Sequence, residues 1–345
     1  MRIFDACLEE VRPFLRAPLV LPEKIEQLKS RAAGLPDAVR AFYLECRLSP
    51  PTPEVDLLAL AVRAPAADRS PPQPTGDPEE CPPEQRFVTD WLRSSVARDC
   101  PLVWLELDDI AAGVAPPFAN LHVCVDVEYC RQRRTTIDES PAAGATRRER
   151  VWGLLEEMSR AALLSAAQLA LLTAQLSQLP SAARLIHVST MTGRSPTETK
   201  VYVAIPHSAL ADCIGQLAGR EWAERTDLLE PWADAQLGGS TLYCDFTFRT
   251  TGCHSIGLVF SKVQLRETSG DPKRKVLRER LIQEGLCTLA QDAALAAWTA
   301  DPSNPMFRAD ASRRLERWLD LKVTMTGSRL ISKAYLGFSP KKSLY

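Results

Sequence analysis

Two lysine–tyrosine pairs stand out for their chemistry. Lys200 and Tyr202 lie two residues apart in Thr-Lys-Val-Tyr-Val-Ala-Ile (199–205), and Lys333 and Tyr335 repeat that spacing in Ser-Lys-Ala-Tyr-Leu-Gly-Phe (332–338). In an extended chain such residues share a face. Lys322 falls on the polar parity of 318–326, and Tyr243, Asp245 and Arg249 on that of 241–249. Gathered cations suit a phosphate or diphosphate, because charge-assisted hydrogen bonds strengthen in a partly enclosed site. Tyrosine faces carry a negative quadrupole and can shield a cationic intermediate while their hydroxyls hold phosphate oxygens. The combination fits ionisation of an allylic diphosphate. Glu106 and Asp108, on the polar parity of Val103–Asp108, are then candidates to accept a proton from the acceptor. Internal ion pairs with those same lysines are the alternative for both.

Other chemistries find less support. Asp108-Asp109 has no second acidic group at the spacing of an Asp-Asp-x-x-Asp site, so magnesium is not demanded and no metal site is expected. The ten cysteines form no C-x-x-C and no zinc spacing with histidine, which reads as reduced, mostly buried thiols. Net charge is −1, from 42 basic and 43 acidic residues, so no bulk field favours nucleic acid or an anionic membrane. The N-terminal stretch lacks the apolar run of a signal peptide, and a cytoplasmic protein with no membrane span is expected.

The elements that must position these residues are legible as a repeat. Thr-Met-Thr-Gly occurs at 190–193 and again at 324–327, each time followed by Lys-x-Tyr. Such a repeat indicates copies of one supersecondary unit. Hairpins are expected at 103–126, 185–205, 241–261 and 318–338, with a weaker fifth strand near 54–63. Apolar residues at helical spacing predict helices over Phe4–Leu28, Asp37–Cys46, Pro83–Ala97, Arg147–Leu179, Ser208–Ala218, Glu221–Trp232, Lys273–Ala300 and Ala309–Arg317. Residues 64–83 read as a Pro-rich surface loop within a single domain spanning 1–345. Hairpins separated by helix pairs give an α+β fold, an antiparallel barrel ringed by helices. The apolar faces then meet the helices. The polar faces line either open solvent or the lumen, and the concentration of Tyr202, Tyr243 and Tyr335 on the polar parity favours the lumen.

In its α-α-β-β units and its Lys-x-Tyr strands, at Thr199–Pro206 and Ser332–Pro340, the chain resembles the aromatic prenyltransferases of the ABBA, or PT-barrel, class. The resemblance implies that Lys200, Tyr202, Lys333 and Tyr335 contact a prenyl diphosphate, and that Glu106 orients or deprotonates the acceptor. It implies transfer of an isoprenoid to an aromatic or peptide acceptor, with the prenyl diphosphate as co-substrate; the working expectation for the oligomeric state is a monomer, which no residue pattern fixes. Two departures stand out. Ser255-Ile-Gly257 and Asn120-Leu-His122 occupy places where Lys-x-Tyr is expected, and aromatics make up only 7% of the chain. A divergent member fits these better than a typical indole enzyme, and a non-catalytic barrel binding a peptide or small anion is the rival reading.

Overall fold

A computed structural model of the protein describes residues 3–36, 38–49, 52, 54–62, 88, 90–91, 102–108, 120–126, 141–161, 163–191, 198–235, 241–261, 272–299 and 315–340. Ten antiparallel strands close a barrel, each hydrogen-bonded to the next in chain order, with the first also bonded to the last. They are β1 Val39–Ser49, β2 Val55–Val62, β3 Leu102–Leu107, β4 Asn120–Cys124, β5 Arg184–Met191, β6 Glu198–Pro206, β7 Thr241–Arg249, β8 Gly252–Phe260, β9 Leu315–Thr326 and β10 Arg329–Pro340. Closure leaves no strand edge unpaired along these ladders. The described α-helices include α1 Ile3–Val11, α2 Pro22–Arg31, α3 Pro141–Arg160, α4 Ala166–Ser177, α5 Leu210–Ala218, α6 Arg220–Ala223, α7 Glu230–Ala235, α8 Pro272–Gln283 and α9 Leu289–Thr299. No described helix is long and apolar enough to cross a membrane.

Alternation sorts the strands into two faces. Phe42, Leu44, Leu57, Val103, Val201, Phe246, Leu258, Val323 and Phe338, one or more from nearly every strand, are buried in one continuous core with Phe4 and Leu8 of α1 and Trp298 of α9. Phe4 packs edge-on to Phe42 at 4.9 Å between ring centroids, and the Trp298 indole N–H donates to the Trp318 carbonyl at 2.8 Å. This is the helix-covered outer face. Two small separate apolar clusters lie on the inner face, one around Ala41, Leu60 and Trp318 and one around Ile186, Ala204 and Tyr243.

The sequence expectation of a helix at Asp37–Cys46 is corrected here, since β1 runs through it. Val39, Phe42 and Cys46 satisfy a helical period, but Phe42, Leu44, Cys46 and Leu48 also satisfy a strand period, and all four are buried. As a strand the segment bonds to β10 on one side, with Phe42 opposite Phe338, and to β2 on the other. A helix there would leave the barrel open. Leu315–Arg317, expected at the end of a helix, instead begins β9, with Leu315 paired to Pro340. The stretch 147–179 resolves into α3 and α4, the latter started by a capping box in which Ser165 and Gln168 satisfy each other's backbone N–H groups. The second Thr-Met-Thr-Gly makes the β9–β10 turn, where Gly327 adopts φ 59°, a conformation that side chains resist. The loop expected at 64–83, most of the helix at Pro83–Ala97, the first turn after Met191 and residues 309–314 lie outside the described residues.

Candidate functional site

Odd strands begin, and even strands end, at one mouth of the barrel, and the inner face is graded from that mouth toward the hairpin tips. The first layer is aromatic. Tyr43 lies 5.2 Å from Trp104 and 5.3 Å from Trp318, centroid to centroid, and 6.2 Å edge-on from Tyr335. On the facing wall Tyr202 and Tyr243 stack at 6.1 Å, with Ile186 and Ala204 completing that cluster. Ile186 joins the inner face through the β5 bulge between Leu185 and His187. A chain with few aromatics has thus placed a concentrated share of them on one surface.

The second layer holds paired charges. Lys322 of β9 bonds Asp245 of β7, and Lys333 of β10 bonds Glu45 of β1. Burial raises both carboxyls, yet the lysines prevail: Glu45 is held down to about 2 by Lys333 and Lys200, and Asp245 is lowered by Lys322, Lys200 and Lys333. Because Lys200 and Lys333 act on both carboxylates, the lysines of three different strands converge on one region of the lumen. Tyr335 lies against the same layer: burial, the Glu45 and Asp245 charges and a hydrogen bond with Glu45 push its hydroxyl well above the usual phenol value. The phenol therefore stays protonated and able to donate.

Gly257, where Lys-x-Tyr is expected to supply a tyrosine, explains one departure. A Cβ there would stand 2.1 Å from Asp245 Oδ1 and 2.4 Å from Lys322 Cε, so the ion pair occupies the space a side chain would need. Gly257→Ala is expected to cost about 1–3 kcal/mol, as overpacking does, and Gly257→Ala/Asp245→Ser should recover part of it in urea denaturation. No loss in the single variant would mean that the pair can swing aside.

The third group lines strands β1 to β5. Glu106 of β3, 2% exposed, accepts at Oε2 from His122 Nε2 of β4 at 2.6 Å. His122 Nδ1 lies 2.7 Å from Ser189 Oγ of β5. Asp108, just beyond β3, accepts from Asn120 Nδ2 at 2.8 Å. Glu106 and Asp108 thus each have a partner on β4, while Lys322 and Lys333 pair with Asp245 and Glu45. Arg249, on the expected parity, sits at the tip end of β7, 31% exposed, and donates to Glu198 at 2.7 Å. It is farther toward solvent than the lysine layer. His187, half-buried and close to His122, is driven down to about 3 by desolvation first and by His122 second, and stays neutral.

Tyr43, Trp104, Trp318, Ser189, Glu45 and Asp56 all escaped the sequence reading as site residues. Glu45 lay in a segment expected to be helical, and Asp56 in one read only as an apolar strand or hairpin arm; a charge inside Val-Asp-Leu-Leu-Ala-Leu was the available signal for Asp56. Glu45, Asp56 and Glu106 each offer an oxygen within 4.8 Å of the others, a spacing a divalent cation accepts, but they also engage Lys333, Arg47 and His122. Burial, reinforced by the Glu45 charge and opposed by Arg47, raises Asp56 to about 7. An unfolded aspartate loses its proton near 3.8, so the stability this raised group contributes is complete below that value and lost as pH rises through about 7. Asp56→Asn should therefore gain stability relative to the parent between about pH 4.5 and about pH 8. Equal offsets in urea midpoint at the two ends would show Asp56 ionised when folded.

No protein-family model matches the sequence, and no curated protein matches it. Among solved structures, AnaPT from Neosartorya fischeri superposes with a TM-score of 0.50 at 9% identity, over 86% of this chain and 77% of that one. The chain has the PT-barrel fold. The 6-dimethylallyltryptophan synthase from Micromonospora olivasterospora, solved in complex with DMASPP and Trp, gives 0.48 at 14% identity over 88% of this chain and 83% of that one. The 5-dimethylallyltryptophan synthase from Streptomyces coelicolor gives 0.45 at 12%, over 87% and 81%. Within this PT barrel the expected lysines and tyrosines lie on the inner wall. Among the described cysteines, positions 7, 46, 213, 244, 253 and 287 are free thiols.

Proposed function

We propose that the protein transfers an isoprenoid from a prenyl diphosphate to an aromatic or peptide acceptor in the barrel lumen. The observation that carries this reading is the convergence of Lys200, Lys322 and Lys333 on one layer, flanked by Tyr202 and Tyr335 and by the aromatic layer. Glu45 and Asp245 hold two of these lysines in place. A diphosphate carries more charge than either carboxylate and competes for the same ammonium groups. As its bond to the allylic carbon breaks, the electron pair leaves on the diphosphate, where the lysines stabilise the developing charge. Tyrosine faces then shield the allylic cation. The acceptor attacks that carbon and loses a proton to Glu106, which restores a neutral product.

The test is a thermal-shift series with prenyl diphosphates of increasing length, alongside mass spectrometry of candidate acceptors. Stabilisation of the parent by one length, weakened at least tenfold in apparent affinity for Lys200→Gln, supports the reading, as one lost charge-assisted contact is worth about 1.5–3 kcal/mol. Failure of every diphosphate to stabilise the protein would leave the barrel as a binder of a different ligand.

A further inference from the structure

We propose that His122 and Ser189 act as positioning residues that hold Glu106 ionised and oriented for proton acceptance, through a hydrogen-bonded chain crossing β3, β4 and β5. The base role of Glu106 rests on the function proposed above; the chain itself does not.

The geometry starts from register. His122 stands directly opposite Ser189 across the β4–β5 ladder, while Glu106 pairs with Asn120 on the other side of β4. All three side chains point inward, and the two contacts measure 2.6 and 2.7 Å. Chemistry then sets the proton positions. An ionised carboxylate only accepts, so the imidazole hydrogen resides on Nε2. In the neutral imidazole Nδ1 then keeps its lone pair and accepts from the Ser189 hydroxyl, the one member able to donate or accept. Glu106 and Ser189 together select a single tautomer.

The need for such a device comes from the surroundings. Glu106 lies within 4.8 Å of Glu45 and Asp56, and buried carboxylates at that spacing favour taking up a shared proton. A proton held on Glu106 would remove the base before the acceptor arrives. Lys333 keeps Glu45 ionised and Arg47 opposes protonation of Asp56, while the His122 N–H donates directly to Glu106 and favours its charged form. Among the described residues, the other charged or titratable neighbours of this corner include Asp108 just beyond β3, Tyr335 of β10, on whose hydroxyl the Glu106 charge acts, His187 of β5, which stays neutral, and Lys200 of β6, opposite Ser189 in register. His122 also stands in the segment where a Lys-x-Tyr motif is expected, so the chain substitutes a carboxylate-orienting imidazole there.

The experiment reads the hydrogen-bonded chain separately from catalysis. Imidazole ¹⁵N spectra of histidine-labelled protein, with His122 assigned by His122→Gln, should show the Nε2–H tautomer in the parent and a mixture in Ser189→Ala. Side-chain ¹³C spectra of glutamate-labelled protein, with Glu106 assigned by Glu106→Gln, should show Glu106 ionised in the parent and in His122→Gln, whose amide N–H still reaches it, but protonated at about pH 7 in His122→Leu. Where prenyl transfer is observed, kcat should fall on the order of 100-fold in His122→Leu with the donor KM unchanged, and recover in His122→Gln. An Nδ1–H tautomer in the parent, or an ionised Glu106 in His122→Leu, overturns the proposal. If His122→Leu does not fold, the Ser189→Ala tautomer decides: an unchanged single tautomer overturns it. Spectra as expected in a protein that transfers no prenyl group would uphold the chain and remove the base role.

Discussion

Lys333→Met should cost the fold about 3–5 kcal/mol at neutral pH, because it leaves Glu45 a buried charge without its ion-pair partner. Glu45 is 3% exposed and Lys333 lies largely out of water beside it. The pH dependence makes the cause identifiable. In the parent, Glu45 titrates at about 2 when folded, against an ordinary value of 4.5. A depressed carboxyl contributes stability that is present above its unfolded value and lost as pH falls through its folded one. Without Lys333 the remaining influences are burial and Glu106, which raise Glu45, and Lys200, which lowers it. The contribution shrinks or reverses sign, so parent and variant should differ most near pH 7 and converge as the solution is acidified through about pH 2. Urea denaturation at several pH values measures this. Lys333→Met/Glu45→Gln should recover most of the loss, since both charges are then gone. A deficit that is independent of pH and unrelieved by the second change would mean that the lysine stem packs the lumen and its charge contributes nothing.

That electrostatic pairing also marks what the sequence made legible and what it did not. Strand parity needs only near neighbours, so the inner positions of Lys200, Tyr202, Tyr243, Lys322, Lys333 and Tyr335 followed from alternation within single strands. The repeat of Thr-Met-Thr-Gly and Lys-x-Tyr gave the hairpin architecture. What remained hidden was partnership across the lumen. Glu45 and Lys333 are 288 residues apart, and Asp245 and Lys322 are 77 apart; no local pattern names one for the other. The β1 strand was obscured for a different reason: its apolar residues satisfy two periods at once, and only the closing ladders to β10 and β2 choose between them. Gly257 was visible as a departure from Lys-x-Tyr, but its cause, an ion pair lying over its Cα, is a property of two other strands. His122 was likewise visible as a departure, and its meaning came only with Glu106 and Ser189 on the neighbouring strands.

Glu106→Gln separates proton transfer from binding, and its expected effect on turnover is a loss of about 10²–10⁴-fold, the usual range for removing a positioned general base. The substitution preserves shape, and its amide oxygen can still accept from His122 Nε2, so the barrel and the lysine layer should persist. Diphosphate-induced stabilisation should therefore be retained while product formation in a single turnover falls. Asp108→Asn is the informative comparison. Asp108 sits past the end of β3, 2.8 Å from Asn120 Nδ2, and its removal should reduce transfer by less than Glu106→Gln does. If instead Asp108→Asn carries the larger loss, proton acceptance belongs at the hairpin end of the lumen and the acceptor enters between β3 and β4. If neither variant slows transfer, the cation is quenched without help from these carboxylates, and Glu106 serves the barrel as one member of its buried charge network. The decision turns on one contrast: a base lost from an intact site lowers kcat alone, whereas a broken charge layer lowers donor affinity as well.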